Sequence, residues 1–113
     1  MLDLSIIILN YQTKNLVKEC VKSIWRASPK LSYEIIIVDN ASGDGIAEMM
    51  GEQFSDIRFF ESPENVGFAG GNNIGLREAR GRYRMILNPD IVVLPGALEK
   101  MVAVMDASPD IGL

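Results

Sequence analysis

The chain has 113 residues, the length of one domain, which excludes two full domains and a solenoid array. Hydrophobic residues make up 48% of it and charged residues 23%, a globular balance that excludes compositional disorder. It has no histidine, which excludes Ser-His and Cys-His catalysis and His-containing zinc sites. Its net charge of −4 disfavours nucleic acid as a partner.

The first half of the chain predicts two strands separated by a helix. Residues 4–9 are apolar apart from Ser5, which is typical of a strand covered on both faces in a parallel sheet, and residues 33–38 have the same character. Between them, Thr13 is predicted to cap a helix that Pro29 ends. The apolar residues of this helix recur at helical spacing: Leu16, Cys20 and Ile24, beside Val17, Val21 and Trp25.

The second half continues the alternation. A turn-rich segment at residues 39–45 precedes a helix predicted at 46–54, and further strands are predicted at 57–60 and 83–87. Pro95 is predicted in the first turn of a last helix, which ends before Pro109. One face of that helix carries Leu98, Val102 and Met105. This order predicts an α/β fold: an open, mostly parallel sheet with helices on both faces.

The segment between the third and fourth strands, residues 65–81, is rich in glycine and is a poor helix. Gly70, Gly71 and Gly75 inside a helix each cost on the order of 1 kcal/mol relative to alanine. Two explanations are open: the segment packs closely on the sheet, or its backbone approaches a bulky ligand such as a diphosphate.

Polar residues follow three of the predicted strands: Asn10-Tyr11, Asp39-Asn40 and Asn88-Pro89-Asp90. Each alone is explained by turn chemistry, since Asn and Asp side chains bond to nearby backbone. A parallel sheet, however, brings these ends together on one rim, where ligands of such folds bind. Together they favour a site at which two carboxylates and two amides read a base or ribose and hold a cation.

Two familiar nucleotide-binding signatures are absent from the sequence. No G-x-G-x-x-G follows the first strand and no G-x-x-x-x-G-K-[ST] occurs, which argues against dinucleotide dehydrogenases and P-loop NTPases. A response-regulator-like domain would need acidic residues at the end of the first strand, where this chain has Asn10-Tyr11-Gln12.

Four ordered motifs resemble family 2 glycosyltransferases of the GT-A fold over almost the whole chain. The motifs are Ser5-Ile6-Ile7-Ile8-Leu9-Asn10-Tyr11, Ile36-Ile37-Val38-Asp39-Asn40-Ala41-Ser42-Gly43-Asp44-Gly45, Asn65-Val66-Gly67-Phe68-Ala69-Gly70-Gly71-Asn72-Asn73-Ile74-Gly75 and Leu87-Asn88-Pro89-Asp90. The forms Val-Asp-Asn-Ala-Ser and Leu-Asn-Pro-Asp are similar to the rhamnosyltransferase-like branch of that family. The resemblance implies that the chain is a single sugar-nucleotide-binding domain.

The resemblance also implies roles for individual residues. Asp39 matches the acid that reads a pyrimidine base, and Asn88-Pro89-Asp90 lies at the Asp-x-Asp position, which makes Asp90 the expected ligand of Mg²⁺ or Mn²⁺. Asn88 replaces the first acid of that motif and is expected to bond ribose or water. Asn72 is another departure, because many members have arginine there. The remaining expected nucleotide-binding residues are Leu9, Asn10 and Tyr11, which line the same pocket as Asp39, and Asn65, Gly67 and Asn73 beneath the base and ribose.

The reaction that the resemblance implies is inverting transfer of a sugar from a UDP- or dTDP-sugar to a hydroxyl of a glycan or lipid-linked acceptor, in cell-surface polysaccharide biosynthesis. The carboxylate base of the family lies downstream of the last helix, so this chain is expected to hold no catalytic residue and, as the donor-binding part, to be inactive alone. The alternative is a noncatalytic α/β domain that binds a nucleotide or a partner protein.

The remaining expectations concern location and association. No apolar run approaches the ~20 residues that span a bilayer, and no secretory signal is evident, so we expect a cytoplasmic protein, or one held peripherally at the inner face of the membrane. The single cysteine, Cys20, excludes an intrachain disulfide. An apolar surface formed by Ile91-Val92-Val93-Leu94 with Ile111 and Leu113 predicts a homo-oligomer.

Overall fold

The computed structural model describes residues 2–107 and confirms the predicted alternation of strands and helices. The elements in chain order are β1 (Leu4–Asn10), α1 (Lys14–Ala27), β2 (Tyr33–Asp39), α2 (Ile46–Gln53), β3 (Arg58–Glu61), α3 (Gly67–Glu78), β4 (Tyr83–Leu87) and α4 (Ala97–Ala107). Within residues 2–107, no helix has both the length and the apolar character needed to cross a bilayer.

The four strands form one sheet in the order β3-β2-β1-β4, and each pair is parallel. β1 is central: Ile7 lies opposite Ile36 of β2 on one side and Ile86 of β4 on the other. Ile6, Ile7 and Ile8 have no exposed surface. This agrees with the sequence, in which an uninterrupted run of branched side chains predicts a strand covered on both faces. The expected open parallel sheet is therefore confirmed.

The two faces of the sheet are covered by different helices. One face, here called the three-helix face, packs Ile6, Ile8, Ile35 and Ile37 against aliphatic residues of α1, α2 and α4. The other, here called the α3 face, packs Ile7, Ile36 and Val38 against α3 and the residue after it, Ala79. Helices on both faces were predicted, and this prediction is confirmed.

The glycine-rich segment is a helix, and two of its glycines explain how it packs. A Cβ on Gly71 would lie 2.5 Å from Leu9 Cδ1, and a Cβ on Gly75 would lie 2.5 Å from Ile7 Cγ2. Real Cβ atoms do not approach other atoms so closely, so only glycine lets α3 lie this near the sheet. Of the two explanations for the segment, close packing holds at these two positions.

The start and the buried face of α1 differ from the sequence prediction. Thr13 precedes the helix, but its side chain makes no capping bond; its hydroxyl donates to Asn10 Oδ1 at 2.9 Å. The buried residues of α1 are Val17, Cys20, Val21, Ser23 and Ile24, while Leu16 and Trp25 are exposed. The six apolar positions span too wide an arc of the helix for one flat sheet to cover. The two residues at the edges of that arc, Leu16 and Trp25, therefore remain exposed to solvent.

The last helix also begins later than predicted. Pro95 lies in a turn in which the N–H of Ala97 donates to the carbonyl of Leu94 at 3.2 Å, and Gly96 has a φ of +84°. The left-handed residue separates the proline from α4, which therefore starts at Ala97. The predicted face of Leu98, Val102 and Met105 is buried, as expected. Pro109, Ile111 and Leu113 lie outside the described residues.

Candidate functional site

The sheet order brings the three polar strand ends to neighbouring positions on one rim. β1 lies between β2 and β4, so Asn10, at the end of β1, stands between Asp39 on one side and Asn88, which follows β4, on the other. Asn10 and Asp39 are opposite each other in the sheet, and Asn10 Nδ2 donates to Asp39 Oδ1 at 2.9 Å. The predicted convergence of these ends is therefore present.

The Asp39 carboxylate is buried and held in place by its neighbours. Its Oδ1 accepts hydrogen bonds from Asn10 Nδ2 and, at 2.5 Å, from Ser42 Oγ, and its Oδ2 accepts the backbone N–H of Ser42 at 3.3 Å. A carboxylate accepts about four hydrogen bonds, so these three fix its orientation and leave capacity for one more donor. Asp39 can therefore stabilise the turn at Ser42 and still accept a hydrogen bond from a ligand.

Asp44 links two helix starts to the rim, a role that the sequence analysis missed. Its Oδ2 accepts the N–H of Lys14 at 3.2 Å and a hydrogen bond from Asn10 Nδ2 at 3.3 Å, and its Oδ1 accepts the N–H of Ile46 at 3.2 Å. One carboxylate therefore satisfies free N–H groups at the starts of α1 and α2 and complements both helix dipoles. In the sequence, Asp44 is indistinguishable from any aspartate in a turn.

Asn40 places the start of α3 at the rim. Its Nδ2 donates to the carbonyl of Gly67 at 3.0 Å, and its Oδ1 accepts the N–H of Val66 at 2.9 Å. Asn65 stabilises the same turn, because its Oδ1 accepts the N–H of Gly67 at 2.8 Å. The loop predicted to lie beneath the base and ribose is thereby attached directly beside Asp39. Asn73, six residues after Gly67 in α3, is exposed.

Two of the clefts formed by residues 2–107 lie at this rim, and together they separate the expected nucleotide-binding residues into groups. The first, about 180 Å³, is here called the α3 cleft; it is lined by Leu9, Tyr11, Thr13, Phe68, Asn72, Ile86, Leu87, Asn88 and Pro89. The second, about 230 Å³, is here called the acidic cleft; it is lined by Asp39, Gly43, Asp44, Gly45, Ile46, Ala47, Glu48 and Glu61. Leu9, Tyr11 and Asn88 thus line the α3 cleft, whereas Asp39 lines the acidic cleft. The carboxylate of Asp39 is turned toward Ser42, to which it is hydrogen-bonded. Asn10, Asn65, Gly67 and Asn73 line neither.

Asp90 is exposed just beyond β4, near α1. Burial raises the pKa of the Cys20 thiol to about 11, and the negative charge of Asp90 contributes to the same shift, so this carboxylate lies close to α1. Residues 2–107 contain no group of three or more carboxylate or thiol side chains that can hold a metal ion. Asp90 therefore fits only a cation that takes most of its ligands from water and from phosphates, as Mg²⁺ does at nucleotide sites.

One further residue of the α3 cleft has unusual chemistry. Asn72 is 2% exposed, and within the described chain neither its Nδ2 nor its Oδ1 has a hydrogen-bond partner. In the sequence, the one signal at this position is the absence of the arginine that many family members have there. Nothing in the sequence indicates that Asn72 is buried while its neighbour Asn73 is exposed.

The comparisons with known proteins agree with this architecture. The low-salt glycan biosynthesis hexosyltransferase Agl10 of Haloferax volcanii is 33% identical over 80% of this chain and 29% of its own length. The structure of S. aureus TarS 1-349 in complex with UDP-GlcNAc matches 93% of this chain and 31% of that one, with a TM-score of 0.77 and 19% identity. The mannosyltransferase PcManGT from Pyrobaculum calidifontis, in complex with GDP-Man and Mn²⁺, matches 90% of this chain and 32% of that one, with a TM-score of 0.68 and 24% identity.

The chain spans about a third of the length of these relatives. The structural likenesses identify the fold as that of GT-A glycosyltransferases. At the level of sequence, the profile of Glycosyl transferase family 2 matches residues 5–112, nearly the whole chain. The chain therefore belongs to glycosyl transferase family 2.

Proposed function

We propose that this chain is the donor-binding part of an enzyme that transfers a sugar, with inversion, from a nucleoside diphosphate to a hydroxyl of a glycan or lipid-linked acceptor. The observation that carries the proposal is the rim itself. A buried carboxylate, Asp39, keeps one acceptor position free, and Asn40 attaches the start of α3 beside it. Open parallel sheets bind their ligands at this rim.

The nucleotide is proposed to lie across the strand ends. Asp39 accepts a hydrogen bond from a uracil or thymine base, and Leu9, Asn10 and Tyr11 at the end of β1 support the base. Asn65, Gly67 and Asn73 lie toward the base and ribose, and Asn88 bonds ribose or water. In support, Asn10 is bonded to Asp39, and Asn65 shapes the turn at Gly67.

A divalent cation, Mg²⁺ or Mn²⁺, is proposed on the diphosphate, with Asp90 as its protein ligand. When bound, such a cation offsets the negative charge that develops on the departing diphosphate. Asn88 in place of a carboxylate adds no charge, so most of the affinity for the cation comes from Asp90 and the phosphates. PcManGT, whose structure contains Mn²⁺ with GDP-Man, supports this proposal by analogy of fold.

The acceptor half of the reaction is proposed to depend on sequence beyond this chain. An inverting transfer needs a base that takes the proton of the acceptor hydroxyl. By the family resemblance this base is not among these 113 residues, and the chain alone is expected to transfer no sugar. A role in cell-surface polysaccharide synthesis is supported by the name of Agl10, and the rhamnosyltransferase-like branch by the motifs around Asp39 and Asn88.

The nucleotide proposal is tested by calorimetric titration with UDP, dTDP, GDP and ADP. We expect UDP and dTDP to bind more tightly than the purine nucleotides. Asp39→Asn should weaken UDP binding by roughly 1 to 3 kcal/mol, because it removes a charged hydrogen bond to the base. Asp56→Asn, at an exposed carboxylate outside both clefts, is the matched control. Equal or tighter purine binding would contradict the base assignment, and no nucleotide binding would contradict the donor site.

The cation proposal is tested by the same titration with and without Mn²⁺. Mn²⁺ should tighten UDP binding to the unmodified chain, and Asp90→Asn should remove most of this gain while leaving metal-free binding nearly unchanged. Asp56→Asn again serves as control. If Asp90→Asn retains the full effect of Mn²⁺, Asp90 is not the ligand.

Association through the apolar surface near β4 is also proposed. Ile91, Val92 and Leu94 are exposed and line, with Ile86 and Met101, an apolar groove of about 430 Å³ beside the free edge of the sheet. Sedimentation should show a dimer or larger species that Val92→Asp and Leu94→Asp together dissociate. A monomer at all concentrations up to the solubility limit would contradict it.

A further inference from the structure

Ser23 is a buried polar residue of α1 whose side chain bonds outside its own helix. It is 1% exposed. Its hydroxyl donates to the carbonyl of Cys20 at 2.7 Å, a bond within α1 of the kind that serines in helices commonly make. Its Oγ also accepts the backbone N–H of Val93 at 2.9 Å. This second bond joins α1 to the segment after β4, which lies 70 residues further along the chain.

The segment after β4, residues 89–93, is held by one hydrogen bond near each end. Near its start, the N–H of Ile91 donates to the carbonyl of Asn88 at 3.1 Å and closes a turn directly after the strand. At its far end, the N–H of Val93 is held by Ser23. In the described part of the chain, no other hydrogen bond joins this segment to a helix or strand. Its attachment to α1 through hydrogen bonds therefore depends on one hydroxyl.

The burial of Val93 shows what this bond does for the segment. The side chain of Val93 belongs to the core of the three-helix face, whereas Val92 and Leu94 on either side of it are exposed. The bond between its N–H and Ser23 is buried as well, and a buried N–H without a partner is destabilising. Ser23 supplies that partner and so favours the orientation of the segment in which Val93 faces inward.

We propose that Ser23 is a positioning residue for the cation site: by holding Val93, it fixes Asp90 where its carboxylate binds a divalent cation on the diphosphate. This inference rests on the proposed cation site and adds to it a residue that does not touch the cation. Asp90 lies between the two bonded points of the segment, two residues after Asn88 and three before Val93. Both bonds therefore restrict the backbone that carries this carboxylate.

A fixed position matters here because the protein offers the cation few ligands. Residues 2–107 contain no group of three or more carboxylate or thiol side chains that can hold a metal ion, so the cation depends on Asp90 and the phosphates. A single carboxylate contributes only if it meets the cation while the phosphates also hold it, which requires support from the surrounding structure. Asn88 cannot replace a displaced Asp90, because its amide has no charge.

The test is calorimetric titration of Ser23→Ala with UDP at a series of Mn²⁺ concentrations. We expect the affinity of the UDP-bound chain for Mn²⁺ to fall roughly tenfold, since loss of a residue that orients a metal ligand has effects of this size. UDP binding without metal should be unchanged. Val21→Ala, at another buried residue of α1, lowers stability without removing the bond to Val93 and is the matched control. It should leave both affinities unchanged.

Two further variants separate the hydroxyl from the volume of the side chain. Ser23→Thr keeps an oxygen that can accept the N–H of Val93 and should retain most of the effect of Mn²⁺. Ser23→Cys has nearly the size of serine but a weak acceptor, and should behave like Ser23→Ala. Loss of the effect in Ser23→Thr, or its full retention in Ser23→Cys, would contradict the proposal. Failure of both Ser23→Ala and Ser23→Cys to fold would show that the bond supports the whole fold and would overturn it.

Hydrogen exchange and a double variant test the connection to Asp90. The amide of Val93 should exchange faster in Ser23→Ala than in the unmodified chain and in Val21→Ala. Unchanged exchange would show that apolar packing of Val93 alone holds the segment, and would overturn the proposal. In an Asp90→Asn background, Ser23→Ala should reduce the remaining effect of Mn²⁺ no further, because Ser23 acts through Asp90. A full additional loss would show that it acts by another route.

Failure of this inference can be distinguished from failure of the cation site. If Mn²⁺ does not tighten UDP binding to the unmodified chain, or Asp90→Asn retains the full effect, the cation site is wrong and this inference fails with it. If Asp90→Asn loses the effect and Ser23→Ala keeps it, only the role of Ser23 is wrong. If Ser23→Ala weakens UDP binding equally with and without Mn²⁺, Ser23 supports the fold and does not position Asp90.

Discussion

The two faces of the sheet are closed in different ways. On the three-helix face, large aliphatic side chains from β1 and β2 meet those of α1, α2 and α4. On the α3 face, the helix contributes Gly71 and Gly75 at its closest approach, so backbone lies directly against Leu9 and Ile7. The three-helix face is stabilised by large side chains that fill the space between sheet and helices, whereas the α3 face is stabilised by the lack of a side chain at two glycines. Removing side-chain atoms should therefore destabilise the first face, and adding them should destabilise the second.

The α3 face also ends in a polar network rather than in apolar side chains. Glu34 Oε2 accepts the hydroxyl of Ser5 at 2.6 Å and the N–H of Arg80 at 2.7 Å, and its Oε1 accepts Arg58 Nη1 at 2.9 Å. Ser5 Oγ in turn accepts the N–H of Gly81 at 2.8 Å. Burial alone would raise the pKa of Glu34, but these hydrogen bonds and the charge of Arg58 outweigh it and lower the pKa. Part of the acid sensitivity of the fold should therefore reside on this face.

The largest expected effect is on the three-helix face. Ile37→Ala removes a side chain with no exposed surface and leaves a cavity between the sheet and the helices. We expect a loss of about 2–5 kcal/mol in the free energy of unfolding, measured by urea denaturation. Ile37→Val, which removes one methylene, should cost about 0.5–1.5 kcal/mol. If Ile37→Ala lowers the free energy of unfolding by less than about 2 kcal/mol, the helices move into the space left by the side chain. The filling of that volume would then not be what stabilises this face.

The next effect is on the α3 face and has the opposite origin. Gly75→Ala adds a methyl group 2.5 Å from Ile7 Cγ2 and should destabilise the fold by about 1–3 kcal/mol, although alanine is the better helix former. Gly51→Ala in α2 makes the same change with no atom within 4 Å and should stabilise by about 0.5–1 kcal/mol. Combining Gly75→Ala with Ile7→Ala should cost less than the sum of the two, since the second change removes the colliding atoms. Strict additivity would refute the close contact.

The smallest effect concerns pH. Because the pKa of Glu34 is lowered in the folded state, its contribution is fully present above the ordinary glutamate value of 4.5 and is lost as pH falls through the lowered value. Glu34→Gln should therefore reduce stability at neutral pH and flatten the loss of stability on acidification, measured by urea denaturation from neutral pH to pH 3. Glu52→Gln, at an exposed glutamate of α2, should leave the pH profile unchanged. An unaltered acid slope in Glu34→Gln would place the acid sensitivity elsewhere.

The difference between the faces also explains what the sequence could predict. Runs of branched residues at 4–9 and 33–38 predict doubly covered strands because burial of such side chains depends little on detail. The glycines of α3 have two explanations in sequence, since packing and ligand approach both require a missing side chain. Only the distances to Leu9 and Ile7 decide between them.

The site was predictable to the level of the rim and no further. Asn10, Asp39 and Asn88 could be placed together because strand ends of a parallel sheet converge. Their division between two clefts depends on the direction in which Asp39 turns, which Ser42 decides through a hydrogen bond that no spacing rule encodes. The burial of Asn72 beside an exposed Asn73 likewise depends on how α3 is rotated on the sheet.

The central position of β1 has a consequence for the order in which the chain acquires its structure. Residues 4–8 form one side of their ladder with residues 33–37 but the other with residues 83–87, near the far end of the described chain. As a nascent chain leaves the ribosome, its most apolar strand therefore has an unpaired edge until β4 emerges. Until then the growing chain exposes the edge of an apolar strand, which can pair wrongly with other chains. The last wall of the α3 cleft to form is the one that contains Ile86, Leu87 and Asn88.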